Sequence, residues 1–188
     1  MSAASRRAAA LATALLMGAA ALGGVGAAEA AVPPSAGPIP TLSGSAEQDS
    51  FEAEVLRLTN DARAHSRKCG GKRMKAVRSL NWSVTLAATA NEHSTDMALN
   101  DYFSHNSQSG SSPFDRIRAA GYQYRAAGEN IAAGRSFADP TAVVRAWLKS
   151  PGHCKVIMNG KYKELGVGRV EGAGRYSVYW TQNFGARR

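Results

Sequence analysis

Only two of the 188 residues are cysteine, and the 14 acidic residues are outnumbered by 23 lysines and arginines. No apolar run reaches the roughly 20 residues that cross a bilayer as a helix. The longest, Ala8 to Ala21, is interrupted by Thr13 and Gly18 and is rich in alanine and glycine. That shortage argues against a transmembrane anchor. A G-x-S-x-G serine-nucleophile motif is missing, as are internal repeats or low-complexity tracts after residue 49. No finger, helix-turn-helix or aromatic-interleaved basic motif accompanies the positive charge, which excludes a nucleic-acid reader.

What is present begins with an export signal. Arg6 and Arg7 precede the apolar run, and small residues then lead to Ala28-Glu29-Ala30, an A-x-A cleavage pattern. Residues 1–30 are therefore expected to be a signal peptide cleaved near Ala30, leaving a secreted chain. Ser5-Arg6-Arg7 hints at twin-arginine export, but Ala8 to Ala10 follow where a larger apolar residue is usual. Residues 31–49 hold four prolines and little to bury, and read as a disordered linker. A single domain over 50–188 follows, long enough to fold alone.

Removing residues 1–30 takes away Arg6, Arg7 and Glu29, so of the formal charge of +9, +8 stays with the mature chain. Such a charge suits an anionic wall polymer or lipid headgroups. The one local cluster, Arg67, Lys68, Lys72, Arg73 and Lys75, reads as a solvated loop. In an exported chain the lone pair Cys69 and Cys154 predicts a disulfide. A metal site using Cys154 and His153 is the alternative, though adjacent ligands on one short segment chelate poorly.

Phe51, Val55, Leu58 and Ala62 recur at helical spacing behind an Asp49 or Ser50 cap. A loop from His65 to Ser79 carries Cys69. A second helix, Ser83 to Asn100, places Leu86, Ala90, His93 and Met97 on one face. Ser112, Pro113, Asp115 and Gly121 punctuate a short third helix, and Asp139-Pro140 opens a fourth that Ser150-Pro151 breaks or restarts. Leu165–Val170 and Arg175–Phe184 read as a hairpin, with Tyr176, Val178, Trp180, Gln182 and Phe184 toward the core. A third strand includes Gly128 to Ile131. This order predicts an α+β fold with helices layered on a small antiparallel sheet.

Three histidines carry candidate chemistry. His93 reads as a core histidine with one hydrogen bond. His105 sits after Tyr102-Phe103-Ser104 at a helix exit, where a pocket is natural. Glu129, among small and apolar neighbours, either caps backbone amides or pairs with a histidine.

Five motifs then occur in order: Tyr102-Phe103-Ser104-His105, Gly128-Glu129-Asn130-Ile131-Ala132, Trp147-Leu148-Lys149-Ser150-Pro151-Gly152-His153-Cys154, Glu164-Leu165-Gly166-Val167-Gly168 and Tyr179-Trp180-Thr181-Gln182. Together they resemble the bacterial branch of the CAP superfamily of cysteine-rich secretory, antigen 5 and pathogenesis-related proteins, built on the SCP domain. The resemblance covers about Phe51 to Phe184 and implies a three-layer α-β-α sandwich. Eukaryotic members carry two histidines and two glutamates in a central cleft, sometimes with a divalent metal. His105 and Glu129 match the first of each, whereas Ser150 and Tyr179 stand where the second glutamate and histidine would be.

The expected cleft is His105, Glu129, His153, Ser150 and Tyr179, with His105, Glu129 and His153 as ligands for a zinc, magnesium or calcium ion. His153 enters from its place one turn beyond Ser150, not from the family pattern. The first functional reading is a monomeric binding or effector module of the wall or extracellular space, with lipid, sterol or anionic wall polymer as partner and no assigned turnover. One alternative is a metal-assisted hydrolase of peptide or wall polymer, with His105 as general base oriented by Glu129. The other is a structural secreted domain without ligand.

Overall fold

The computed structural model describes residues 43–188, with side chains from Ser50 onward. The expected signal peptide and cleavage site lie outside the described residues, as does the linker up to residue 42. In chain order the elements are α1 (Ser43–Ala64), β1 (Arg67–Cys69), β2 (Lys72–Met74), β3 (Asn81–Trp82), α2 (Val84–Leu99), α3 (Pro113–Ala119), β4 (Tyr124–Ala133), α4 (Pro140–Lys149), α5 (Pro151–Ile157), β5 (Glu164–Glu171) and β6 (Val178–Arg187). Among the described residues no helix is long and apolar enough to cross a membrane.

Local chemistry sets most boundaries. Ser83 caps α2 and Asp139 caps α4, each accepting a backbone N–H from its own first turn. Ser112 and Asp115 form a reciprocal capping box on α3. Pro113, Pro140 and Pro151 each open a helix, where a missing N–H costs nothing. α1 starts at Ser43, ahead of the anticipated Asp49 or Ser50 cap.

The main sheet has the order β3-β5-β6-β4. β5 and β6 are antiparallel with Leu165 opposite Phe184, β4 and β6 are antiparallel with Glu129 opposite Asn183, and the short β3 runs parallel to β5. α2 covers one face, and α1, α4 and α5 cover the other, giving the α-β-α sandwich. Between the sheet and α1, α4 and α5 lies a core containing Val55, Trp147, Ile157, Leu165, Trp180 and Phe184. Each such side chain contributes about 1.5–3 kcal/mol by leaving water.

The anticipated single buried face of β6 is a correction: every residue from Val178 to Ala186 is buried. β6 is a central strand roofed on both sides, so its Thr181 and Asn183 are interior too. Ser94 Oγ donates to Thr181 Oγ1 at 2.9 Å, and Asn183 Nδ2 donates to the Leu86 carbonyl at 3.5 Å. α2 can lie this close because β5 presents glycines to it. A Cβ on Gly166 would sit 2.0 Å from the Ala87 nitrogen, and one on Gly168 would sit 2.3 Å from that of Asn91.

The expected His65–Ser79 loop contains the β1–β2 hairpin, turned at Gly70-Gly71 with Gly70 at φ +62°. Cys69 ends β1 and is joined to Cys154 of α5, with Cα atoms 5.4 Å apart and both residues fully buried. The disulfide reading holds and the Cys154–His153 metal alternative falls, because the thiol is consumed.

A candidate site at the β4 edge of the sheet

β4 is an edge strand, and α3 and the segment after α2 each send a side chain to Glu129 on it. Glu129 points from β4 toward the α2 side with only 2% of its side chain exposed. Its Oε1 accepts from Nδ1 of His105 at 2.8 Å, and its Oε2 accepts from Nη2 of Arg116 at 2.8 Å. A buried carboxylate needs such partners to offset its lost hydration. With Nδ1–H donating to the carboxylate, the neutral imidazole carries its lone pair on Nε2. The His105 side chain is 48% exposed.

The segment that presents His105 is tied at several points. Tyr102 donates its hydroxyl to Asp96 Oδ2. Arg116 Nη1 reaches the carbonyls of His105 and Ser111, both at 3.0 Å. His93, 1% exposed on α2, donates from Nε2 to the Ser104 carbonyl at 3.0 Å. This fixes the tautomer of His93 and leaves its buried Nδ1 without a hydrogen-bond partner. Burial holds the His93 pKa below the usual histidine range; the Glu129 charge opposes that shift and the Arg116 charge adds to it. His93 is thus the core histidine expected, and it also anchors the segment bearing His105.

His153 is half-buried on α5. Its pKa is lowered first by burial and then by the charge of His105. Asn130 Nδ2 donates to its carbonyl at 3.4 Å and also to Gln182 Oε1 at 3.1 Å, while Gln182 Nε2 donates to Thr59 Oγ1 at 2.9 Å. The asparagine after Glu129 and the glutamine of the β6 motif therefore bind β4, β6 and α1 together inside the core.

Of the other expected members, Tyr179 is displaced along the sheet. Tyr179 pairs with Ala133, four residues up β4 from Glu129, or about 13 Å along the strand. It is fully buried and donates to Asp101 Oδ1 at 3.3 Å. Ser150 is the hinge between α4 and α5, ending one and preceding Pro151 of the next without a side-chain capping bond.

The metal-ligand set His105, Glu129 and His153 does not fit a divalent ion as arranged. Both Glu129 oxygens are engaged, and Arg116 already places a positive charge against them. Among the described residues no group of three or more histidine, cysteine, aspartate or glutamate side chains is placed to hold one. Arg116 is the site residue missed from sequence. Its signal was indirect: a buried carboxylate needs a cation, and the capped α3 lies shortly before Glu129 in the chain.

A family model described as "CAP: Cysteine-rich secretory protein family" matches residues 56–184. The chain is 36% identical over 144 residues to the uncharacterized protein YkwD of Bacillus subtilis (strain 168), covering 77% of this chain and 50% of that protein. It is 37% identical over 137 residues to the uncharacterized membrane protein YlbC of the same strain, covering 73% and 35%. Among solved structures, an extracellular protein containing an SCP domain from Bacillus anthracis str. Ames superposes with a TM-score of 0.64 at 32% identity, over 81% of this chain and 45% of that one. An outer surface protein of Borrelia burgdorferi shares the fold, at 20% identity and a TM-score of 0.60, over 78% and 97%. The chain spans half or less of the length of both curated relatives.

Proposed function

Since the chain belongs to the cysteine-rich secretory protein family, we propose that it is a binding module of the extracellular or cell-wall space, with the His105 recess as its ligand-facing feature. The observation that carries this reading is the unequal exposure of a bonded pair. Glu129 is 2% exposed and His105 48%, so a buried carboxylate holds a solvent-facing imidazole in one orientation. A core pair serving stability alone would have no need to present a ring to water. The A-x-A pattern ending at Ala30, expected to be cleaved, and the similarity to an extracellular SCP-domain protein of Bacillus anthracis support the location.

Native mass spectrometry of protein secreted into culture medium, compared with His105→Ala, tests the reading. The expected result is a bound small molecule or ion on the wild type that the variant loses. Identical adducts on both proteins reduce the recess to scaffolding. Hydrolysis of peptide or wall fragments by wild type and not by the variant would favour the catalytic alternative, for which an oriented imidazole is the general-base arrangement.

A separate observation supports a lipid or sterol partner. A groove of about 450 Å³ runs between α1 and α4, lined by Leu58, Ala62, Val144 and Leu148 together with Arg67, Arg145, Lys149 and one carboxylate, Asp61. Its apolar lining and net positive charge suit an amphiphile with an anionic head.

A further inference from the structure

Arg63 is fully buried in the last turn of α1, and among the described residues no carboxylate is bonded to it. Its Nε donates to the Arg78 carbonyl at 2.9 Å, and its Nη1 reaches the carbonyls of Ile157 at 2.5 Å and Asn159 at 3.1 Å. The backbone N–H of Val77 donates back to the Arg63 carbonyl at 2.9 Å. Burial lowers the Arg63 pKa to about 10, and its Nη2 has no hydrogen-bond partner. One buried guanidinium therefore clamps two surface segments, residues 76–78 and the turn after α5, side by side.

Those segments wall two adjoining hollows that share Gly160 and Lys163. The larger, about 520 Å³, is lined by Ala76, Val77, Arg78, Gly160 and Lys163; the smaller, about 290 Å³, adds Arg125, Ala126 and Lys161. Arg78, Arg125, Lys161 and Lys163 are all exposed, and neither lining contains a carboxylate. The neighbouring Glu164 accepts from Tyr122 and lies 3.4 Å from Arg187 Nε, so its charge is engaged away from the hollows. The turn is rigid: Lys161 N donates to Asn159 Oδ1 at 3.0 Å, and Lys163 N donates to the Gly185 carbonyl at 2.8 Å.

We propose that this pair of hollows is a docking surface for a flexible phosphodiester polymer of the cell envelope, with Arg78, Arg125, Lys161 and Lys163 contacting successive phosphates. Four cations around two adjoining hollows suit a chain of repeated single charges, and arginine forks match phosphate oxygens in pairs. No aromatic ring lines either hollow, so there is no platform for stacked bases. The linings are concave and hold only small apolar side chains, unlike the protruding apolar face that enters a lipid interface. None of the lining residues belongs to the His105–Glu129–Arg116 cluster or to the Arg67–Lys75 basic cluster. This docking surface rests on the extracellular reading above, whose own failure reads out separately, as residues 1–30 retained in the intact mass.

The probe is fluorescein-labelled synthetic poly(glycerol phosphate), followed by fluorescence anisotropy across a salt series. Lys161→Glu/Lys163→Glu is compared with Lys72→Glu/Arg73→Glu on β2, which changes the net charge equally. The expected result is about tenfold weaker binding and a flatter salt dependence for the first variant only. Lys161→Gln/Lys163→Gln carries the test if circular dichroism shows the Glu variant misfolded. Equal losses in both double variants overturn the proposal in favour of diffuse charge attraction. Tighter binding to single-stranded DNA or to phosphatidylglycerol vesicles than to the polymer overturns it as well.

Discussion

Arg116 Nη2 lies 2.8 Å from Glu129 Oε2, and through the same guanidinium α3 holds the backbone of His105. The ion pair and the loop anchor are thus one side chain, 12% exposed. Arg116→Met leaves Glu129 buried with His105 as its only partner from this cluster. Breaking a buried pair costs about 3–5 kcal/mol, toward the lower end here because some solvent reaches the arginine. Urea unfolding measures it, and a loss below about 0.5 kcal/mol, typical of a surface change, would contradict the pairing.

The disulfide spans 85 residues and fastens the β1–β2 hairpin to α5. Cys69→Ala/Cys154→Ala should lower stability by about 2–5 kcal/mol. Thermal unfolding of the variant reads the loss. Alkylation of both thiols in native, unreduced wild type would show that the bond is not formed.

Acid should weaken the fold through His93. An unfolded histidine binds its proton near pH ~6.5, whereas burial makes native His93 resist protonation to lower pH. Below about pH 6.5 the unfolded state holds a proton that the native state refuses, so stability present above that pH declines toward the native pKa. His153 acts in the same direction. Urea midpoints measured from about pH 7 to about pH 5 should fall less steeply in His93→Gln than in wild type. Parallel profiles would remove His93 as a source of the decline.

Gly166→Ala should be among the most damaging substitutions of a small residue. The added methyl would meet the Ala87 nitrogen at 2.0 Å, and the obstacle is helix backbone rather than a side chain that can turn away. Separating α2 from β5 is expected to cost about 3 kcal/mol, at the upper end of overpacking penalties. Wild-type stability in the alanine variant would mean that helix and strand are not in contact there.

Export predicts a secreted species beginning at Ala31. Intact-mass measurement on protein from culture medium decides this, and a mass that includes residues 1–30 would reverse the localisation.

Features encoded within a few residues were legible from sequence. Ser83, Ser112-Pro113, Asp139-Pro140 and Pro151 mark helix starts because capping is local chemistry. The His105–Glu129 pair followed from family resemblance and from the cost of a lone interior carboxylate. Arg116 escaped notice because its partner lies across the fold, and an arginine on a capped helix ordinarily reads as a surface charge. The placement of Tyr179 depends on register along β6: four residues decide whether a side chain meets Glu129 or Asp101. The β1–β2 hairpin, three residues to a strand and two of them basic in each, is too short to carry an apolar alternation that announces it. β6 misled for the opposite reason, since alternating polarity normally marks a wet face, and here Thr181 and Asn183 bond to α2 and Gln182 to β4 and α1 inside the fold.

The segment bearing His105 has no regular secondary structure, yet His93, Tyr102 and Arg116 bind it to α2 and α3. Loops of this kind usually lose freedom when a ligand arrives, which slows capture and weakens affinity. In this protein that ordering accompanies folding itself. A molecule meeting Nε2 of His105 encounters a ring already aimed, so encounter and orientation set its arrival rate, with no loop rearrangement to wait for.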